Sequence, residues 1–95
     1  MEFEWDDAKD RSNQRKHGLS FSEAKQLFAG NRDYLEIFDV SHSDVEDRFI
    51  AIGAIRRGVV VVVYTEREED VIRIIGARFA TKRERERFQV HMAKH

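Results

Sequence analysis

The pattern of apolar and polar positions changes period twice along the chain. Phe3-Glu4-Trp5 alternates, as a short strand does. Asp6 and Asp7 then offer N-caps for a helix running to His17, with Gly18 at its C-terminal cap. That helix has no apolar stripe. Ala8 is its sole apolar residue, and Lys9, Asn13, Lys16 and His17, spaced i, i+4, i+7 and i+8, share one face. Either the ends hold it, through Trp5 and Leu19, or its polar face meets something. Ser20 and Glu23 form a capping box for a second helix to about Ala29, closed by Gly30. Phe21, Ala24, Leu27 and Phe28 lie on one face of it. Beyond it the helical spacing gives way to short apolar runs. "DYLEIFDV", "RFIAIGAIRR", "VVVVVYT" and "VIRIIGARF" read as strands, rich in β-branched and aromatic residues. Arg57-Gly58 suits a tight hairpin, "EREED" suits the next turn, and Thr81 with Glu84 caps a C-terminal helix.

The predicted order is β-α-α-β-β-β-β-α. Strands joined by short turns pair antiparallel. The expected fold class is α+β: an antiparallel sheet of about four strands, with two N-terminal helices and a C-terminal helix on one face. The other face is then solvated or a binding surface. With 95 residues, the chain is expected to form one domain over 1–95, with a small core.

Charged residues make up 37% of the chain, above the usual quarter or so, and most must lie on the surface or in a groove. The chain has no cysteine, which suggests a cytoplasmic location. No apolar run approaches the roughly 18 residues of a membrane span. The acidic start "MEFEWDD" does not resemble a signal peptide. A net charge of −1 argues against indiscriminate nucleic-acid binding, but the charges are unevenly placed. Tyr34 to Asp47 holds five acidic residues and no basic one, whereas Arg78 to His95 holds six basic and two acidic. One pole suits phosphate and the other a cationic partner. Two ordinary solvated faces would give the same pattern.

The arginines are the main chemical signal. Arg48 opens a strand, Arg67 follows "VYT", Arg73 lies mid-strand and Arg78 ends that strand. A guanidinium offers a planar fork of donors that suits phosphate. Strict alternation puts Arg73 and Arg78 on opposite sheet faces unless Gly76 marks a bulge. The alternative for Arg73 is an ion pair with Glu36, Asp39 or Glu46. No CxxC, HExxH or glycine-rich phosphate loop occurs, so neither a metal site nor a cofactor is expected. His91 and His95, one helical turn apart, read as a frayed tail. His42 in "SHSD" lacks a nucleophile elbow. His17, taken by itself, reads as a cation at a helix C-terminus.

Phe3-x-Trp5-Asp6, Lys9, Asn13, Lys16-His17-Gly18, Phe21, Ala24, "DRFIAIG", "VVYTER" and "IRIIGARFATKRERERF" occur in an order that resembles the BrnT family, across nearly the whole chain. Gly76 stands where that family commonly has serine, and Phe88 where it commonly has tyrosine. The resemblance implies a RelE-like fold and a metal-independent endoribonuclease toxin of a type II toxin–antitoxin system that inhibits translation. It implies neutralisation by a ribbon-helix-helix antitoxin, as two toxins with two antitoxins, reaching operator DNA only through that antitoxin. Carried onto this chain, it nominates His17, Arg48, Arg67 and Arg78 for catalysis and Lys9, Lys16, Arg73, Lys82 and Arg83 for RNA binding. His17 would serve as acid or base, and Arg78 would stabilise the phosphorane beside free helix N–H groups. The antitoxin is expected over Arg78, Lys82, Arg83 and Arg87. The competing expectation is a non-catalytic nucleic-acid-binding or antitoxin-binding corepressor module.

Overall fold

Asp6 caps the first helix, as the spacing predicts. Its carboxylate accepts the Lys9 N–H at 3.0 Å, and α1 (Asp7–His17) runs until Gly18 turns left-handed at φ 65°. The structure, a computed structural model, describes residues 1–29, 33–42 and 46–94. Ser20 and Glu23 close their capping box, but α2 (Phe21–Ala24) is short and tightens into a 3₁₀ turn over Lys25–Leu27. The expected stop at Gly30 lies outside the described residues, as does His95 of the His91 pair.

The strands are β1 (Glu2–Glu4), β2 (Leu35–Phe38), β3 (Arg48–Ile55), β4 (Gly58–Glu66) and β5 (Val71–Phe79), followed by α3 (Lys82–Ala93). The last four strands form the expected antiparallel meander. Among the described residues the sheet is nevertheless five-stranded and mixed, in the order β1-β5-β4-β3-β2, because β1 lies parallel to β5 with Phe3 opposite Ile72. Turn lengths constrain only consecutive strands, so a partner at the far end of the chain leaves no local signature. The β3–β4 turn is Arg56-Arg57, one residue earlier than expected. Ile55 faces Gly58 there, and Gly58 takes φ 142°, a conformation few other residues adopt.

The helices occupy both faces of the sheet, not one. Leu19, Phe21, Ala24 and Leu27 pack with Val60, Val62, Tyr64, Ile72, Ile74 and Ala77 on the first face. On the second face α3 contributes Phe88, which packs with Ile52, Val61 and Ala80. The tetrad on the first face is almost dry, whereas α3 covers only part of the second. Trp5 and Leu19 do anchor the ends of α1, with Trp5 edge-on to Phe21 and Leu19 fully buried. Among the described residues no helix is long and apolar enough to cross a membrane.

A bulge sits where the glycine suggests it. Val63 faces Gly76 while Tyr64 faces Ile74, so Ile75 is the extra residue. This slip places Arg73 and Arg78 on the same face, opposite Thr65 and Val61 respectively.

Candidate active site

The part of the second sheet face that α3 leaves uncovered forms a cleft of about 400 Å³. Its floor is apolar: Ile37 from β2, Ile50 and Ile52 from β3, Val61 and Val63 from β4, and Gly76 from β5. Alternation delivers these residues to one face. A Cβ at Gly76 would meet nothing within 4 Å, so glycine leaves open volume in the floor. The rim is charged and polar. His17 comes from the end of α1, Arg78 from β5, and Glu84 and Arg87 from one side of α3.

Arg78 is held by a forked pair with Glu84, at 2.7 Å and 2.8 Å to the two carboxylate oxygens. That bond holds the Glu84 carboxyl down at about 2, against the cost of burying it, and raises Arg78. Glu84 also accepts the Thr81 N–H at 2.9 Å, while Thr81 Oγ1 accepts the Glu84 N–H at 3.2 Å. The start of α3 is therefore capped by its own residues, so that one of the helix N–H groups expected to be free, that of Glu84, is already bonded. The Arg78 side chain remains 42% exposed, so a ligand in the cleft can reach it.

The other nominated residues lie elsewhere. Lys9 and Lys16 are exposed on α1, outside the cleft lining. Arg48 faces Thr65 across β3–β4, at the opposite end of the same face. There Arg73 bonds Glu4 at 2.7 Å, and Arg67 lies 3.5 Å from Glu46 and 4.0 Å from Glu4. Arg73 thus meets a carboxylate as the alternative expected, but on β1, the strand whose pairing the sequence conceals. Arg67 lies in a cavity of about 700 Å³ lined by Glu2, Glu4, Glu46, Glu66 and Glu68. Lys82 is exposed on the first turn of α3. Arg83 faces a second groove, lined with Glu86, Arg87, Leu35, Val90, His91 and Lys94. Among the described residues no cluster of three metal-ligating side chains forms. Phe88, where the resemblance expects tyrosine, is buried beneath α3 and does not line the cleft.

Three participants were not singled out for the site by the sequence: Asn13, Glu84 and the apolar floor. Asn13 is 9% exposed and is the buried residue of α1. A lone amide in a polar stripe was a signal, but its partners are backbone groups far along the chain. Glu84 was legible only as a helix cap.

The crystal structure of the Brucella abortus ribonuclease toxin BrnT has the same fold. It matches at a TM-score of 0.63 and 22% identity, covering 86% of this chain and 99% of that one. No curated protein sequence matches this chain. A model of the family described as "Ribonuclease toxin, BrnT, of type II toxin-antitoxin system" matches residues 5–84, a span that includes His17, Gly76, Arg78 and Glu84. The chain therefore belongs to the BrnT family of ribonuclease toxins of type II toxin–antitoxin systems.

Proposed function

We propose that this chain is a metal-independent endoribonuclease that cuts RNA in the cleft between α1 and α3, inhibiting translation. The observation that carries this reading is the meeting of His17 and Arg78, remote in sequence, on the rim of one apolar-floored cleft. The floor accepts the face of a nucleobase by burying its apolar surface. The ribose 2′-hydroxyl attacks the adjacent phosphorus, a base takes its proton and an acid protonates the departing 5′-oxygen. His17 carries one of these proton transfers. Arg78, aimed by Glu84, and Arg87 stabilise the charge that gathers on the phosphorane. The chemistry uses the RNA's own nucleophile and requires no metal.

The partner is a protein antitoxin. We assign it a ribbon-helix-helix fold and two copies per two toxins, with operator DNA reached through it. Its landing site is the basic outer side of α3, where Arg83, Arg87 and Lys94 surround Leu35 and Val90. Arg87 lines both this groove and the cleft, so an acidic amphipathic segment docked there draws on a residue the RNA uses.

A second reading, a non-catalytic binding module, draws support from the carboxylates already bonded to Arg67, Arg73 and Arg78. Cleavage of RNA by the purified protein in EDTA separates the two. Gly76→Leu then tests the cleft. Its Cβ meets nothing within 4 Å and the rest of the side chain would project into the cleft, so the melting temperature should hold while cleavage falls by about 10²-fold or more. Wild-type cleavage by Gly76→Leu would place the chemistry elsewhere.

A further inference from the structure

The first helix presents a physical puzzle: it packs against β5 with almost no apolar residue. Asn13 resolves it. Its Nδ2 donates to the Leu19 carbonyl and to the Ala77 carbonyl, both at 2.8 Å, and its Oδ1 accepts the Ala77 N–H at 3.2 Å. The side-chain amide acts as a peptide unit does in a sheet. It does so where a strand is lacking, because β1 pairs with β5 only over Val71–Arg73. Past Arg73 the outer edge of β5 has no neighbouring strand among the described residues, and Asn13 takes that place. The same amide ties down the chain just after the Gly18 turn.

Ala77 lies between Gly76 in the cleft floor and Arg78 on the rim. His17 is one helical turn beyond Asn13, on the same face of α1. One side chain therefore couples the helix that carries the imidazole to the strand that carries the guanidinium. From the other side Glu84 grips the Arg78 fork. We propose that Asn13 is a positioning residue for RNA cleavage: its pair of hydrogen bonds to Ala77 sets the placement of His17 relative to Arg78. This rests on the ribonuclease reading above. It adds a residue that lines the same cleft but whose amide is taken up by backbone groups, so that it holds the two working side chains in place. The chemistry is sensitive to such placement, since a displacement of about 1 Å can cost about 10²-fold in rate.

Asn13→Asp tests the proposal. It keeps the size and the acceptor for the Ala77 N–H, but it points an oxygen at two carbonyls that need a donor. Cleavage of a single-stranded RNA oligonucleotide is measured, with kcat and KM separated. The expected result is a fall in kcat of about 10²-fold with KM changed less than about threefold, because the Arg78 and Arg87 charges remain. Protonation of the new carboxyl restores a donor, so the deficit relative to wild type should shrink as pH falls towards the carboxylate range. Ile55→Ala, a core truncation on the other sheet face, is the control. It should lower the melting temperature while leaving kcat near wild type once corrected for the folded fraction. A folded Asn13→Asp with wild-type kcat overturns the proposal. So does a loss of rate that matches the control at equal folded fraction. If Asn13→Asp fails to fold, Asn13→Gln, which keeps both amide functions on a longer arm, takes its place with the same expected split. If neither folds, the residue is structural and the proposal fails. Absence of cleavage by the wild-type protein overturns the ribonuclease reading instead, and the inference falls with it.

Discussion

Arg73 and Arg78 sit on one strand, face the same side of the sheet and each bind a carboxylate, yet they occupy opposite environments. They are roughly 15 Å apart by strand rise, further than a Debye length at physiological salt. Arg73 reaches Glu4 beside a cavity lined by five glutamates. Arg78 reaches Glu84, a helix cap, and opens onto an apolar floor with His17 and Arg87 nearby. A phosphate approaching Arg73 meets net negative charge, whereas one approaching Arg78 meets two guanidinium groups and one carboxylate. The motif content of a strand therefore does not distinguish its arginines; the charges delivered by other elements do.

The largest expected effect tests that contrast directly. Arg78→Ala should reduce RNA cleavage by about 10²-fold or more with the fold retained, as read by circular dichroism and a cleavage time course. Equal losses from Arg67→Ala or Arg73→Ala would erase the distinction between the two ends. A smaller effect concerns the antitoxin. Reversing Lys82, Arg83 and Arg87 to glutamate should weaken antitoxin binding by about tenfold or more and flatten its salt dependence, measured by titration calorimetry. Unchanged affinity would move the landing site away from the basic end.

The Glu84 pair gives a stability effect with a definite sign. Its carboxyl is held near 2 in the folded chain, below its ordinary value of 4.5, so its contribution is complete above pH 4.5 and is lost as pH falls through about 2. With the partner arginine partly exposed, that contribution is about 1–2 kcal/mol after solvent screening. Denaturant melts of Glu84→Gln should show a loss of that order at pH 7 that narrows at low pH. Melts parallel to wild type at every pH would mean that the pair contributes nothing. The smallest effect belongs to the acidic end. Arg73→Ala should change cleavage by less than about threefold, because an exposed pair amid excess acidic charge contributes little.

Local periodicity determined a good deal here. The Gly76 bulge was left open by the sequence and set by the register of β5 against β4, whereas the caps at Asp6, Ser20 and Thr81, the left-handed Gly18 and the antiparallel meander of strands joined by short turns follow from local patterns. So does the oddness of a helix whose buried-type face reads Lys9, Asn13, Lys16 and His17. Tertiary structure alone decided what that face was for. The partners of Asn13 are the backbone of Leu19 and of Ala77, and a backbone partner has no residue type to find in a sequence. The same holds for β1, whose pairing with β5 joins segments far apart in the chain, and for Glu4, which β1 brings to Arg73. The second sheet face shows the limit most plainly. Its apolar residues were legible in β3 and β4 as near-continuous apolar runs, but α3 covers only part of it. How far a helix extends over a sheet depends on its crossing and on what packs beneath Phe88. That geometry, and not the residue pattern, leaves the floor between His17 and Arg78 open.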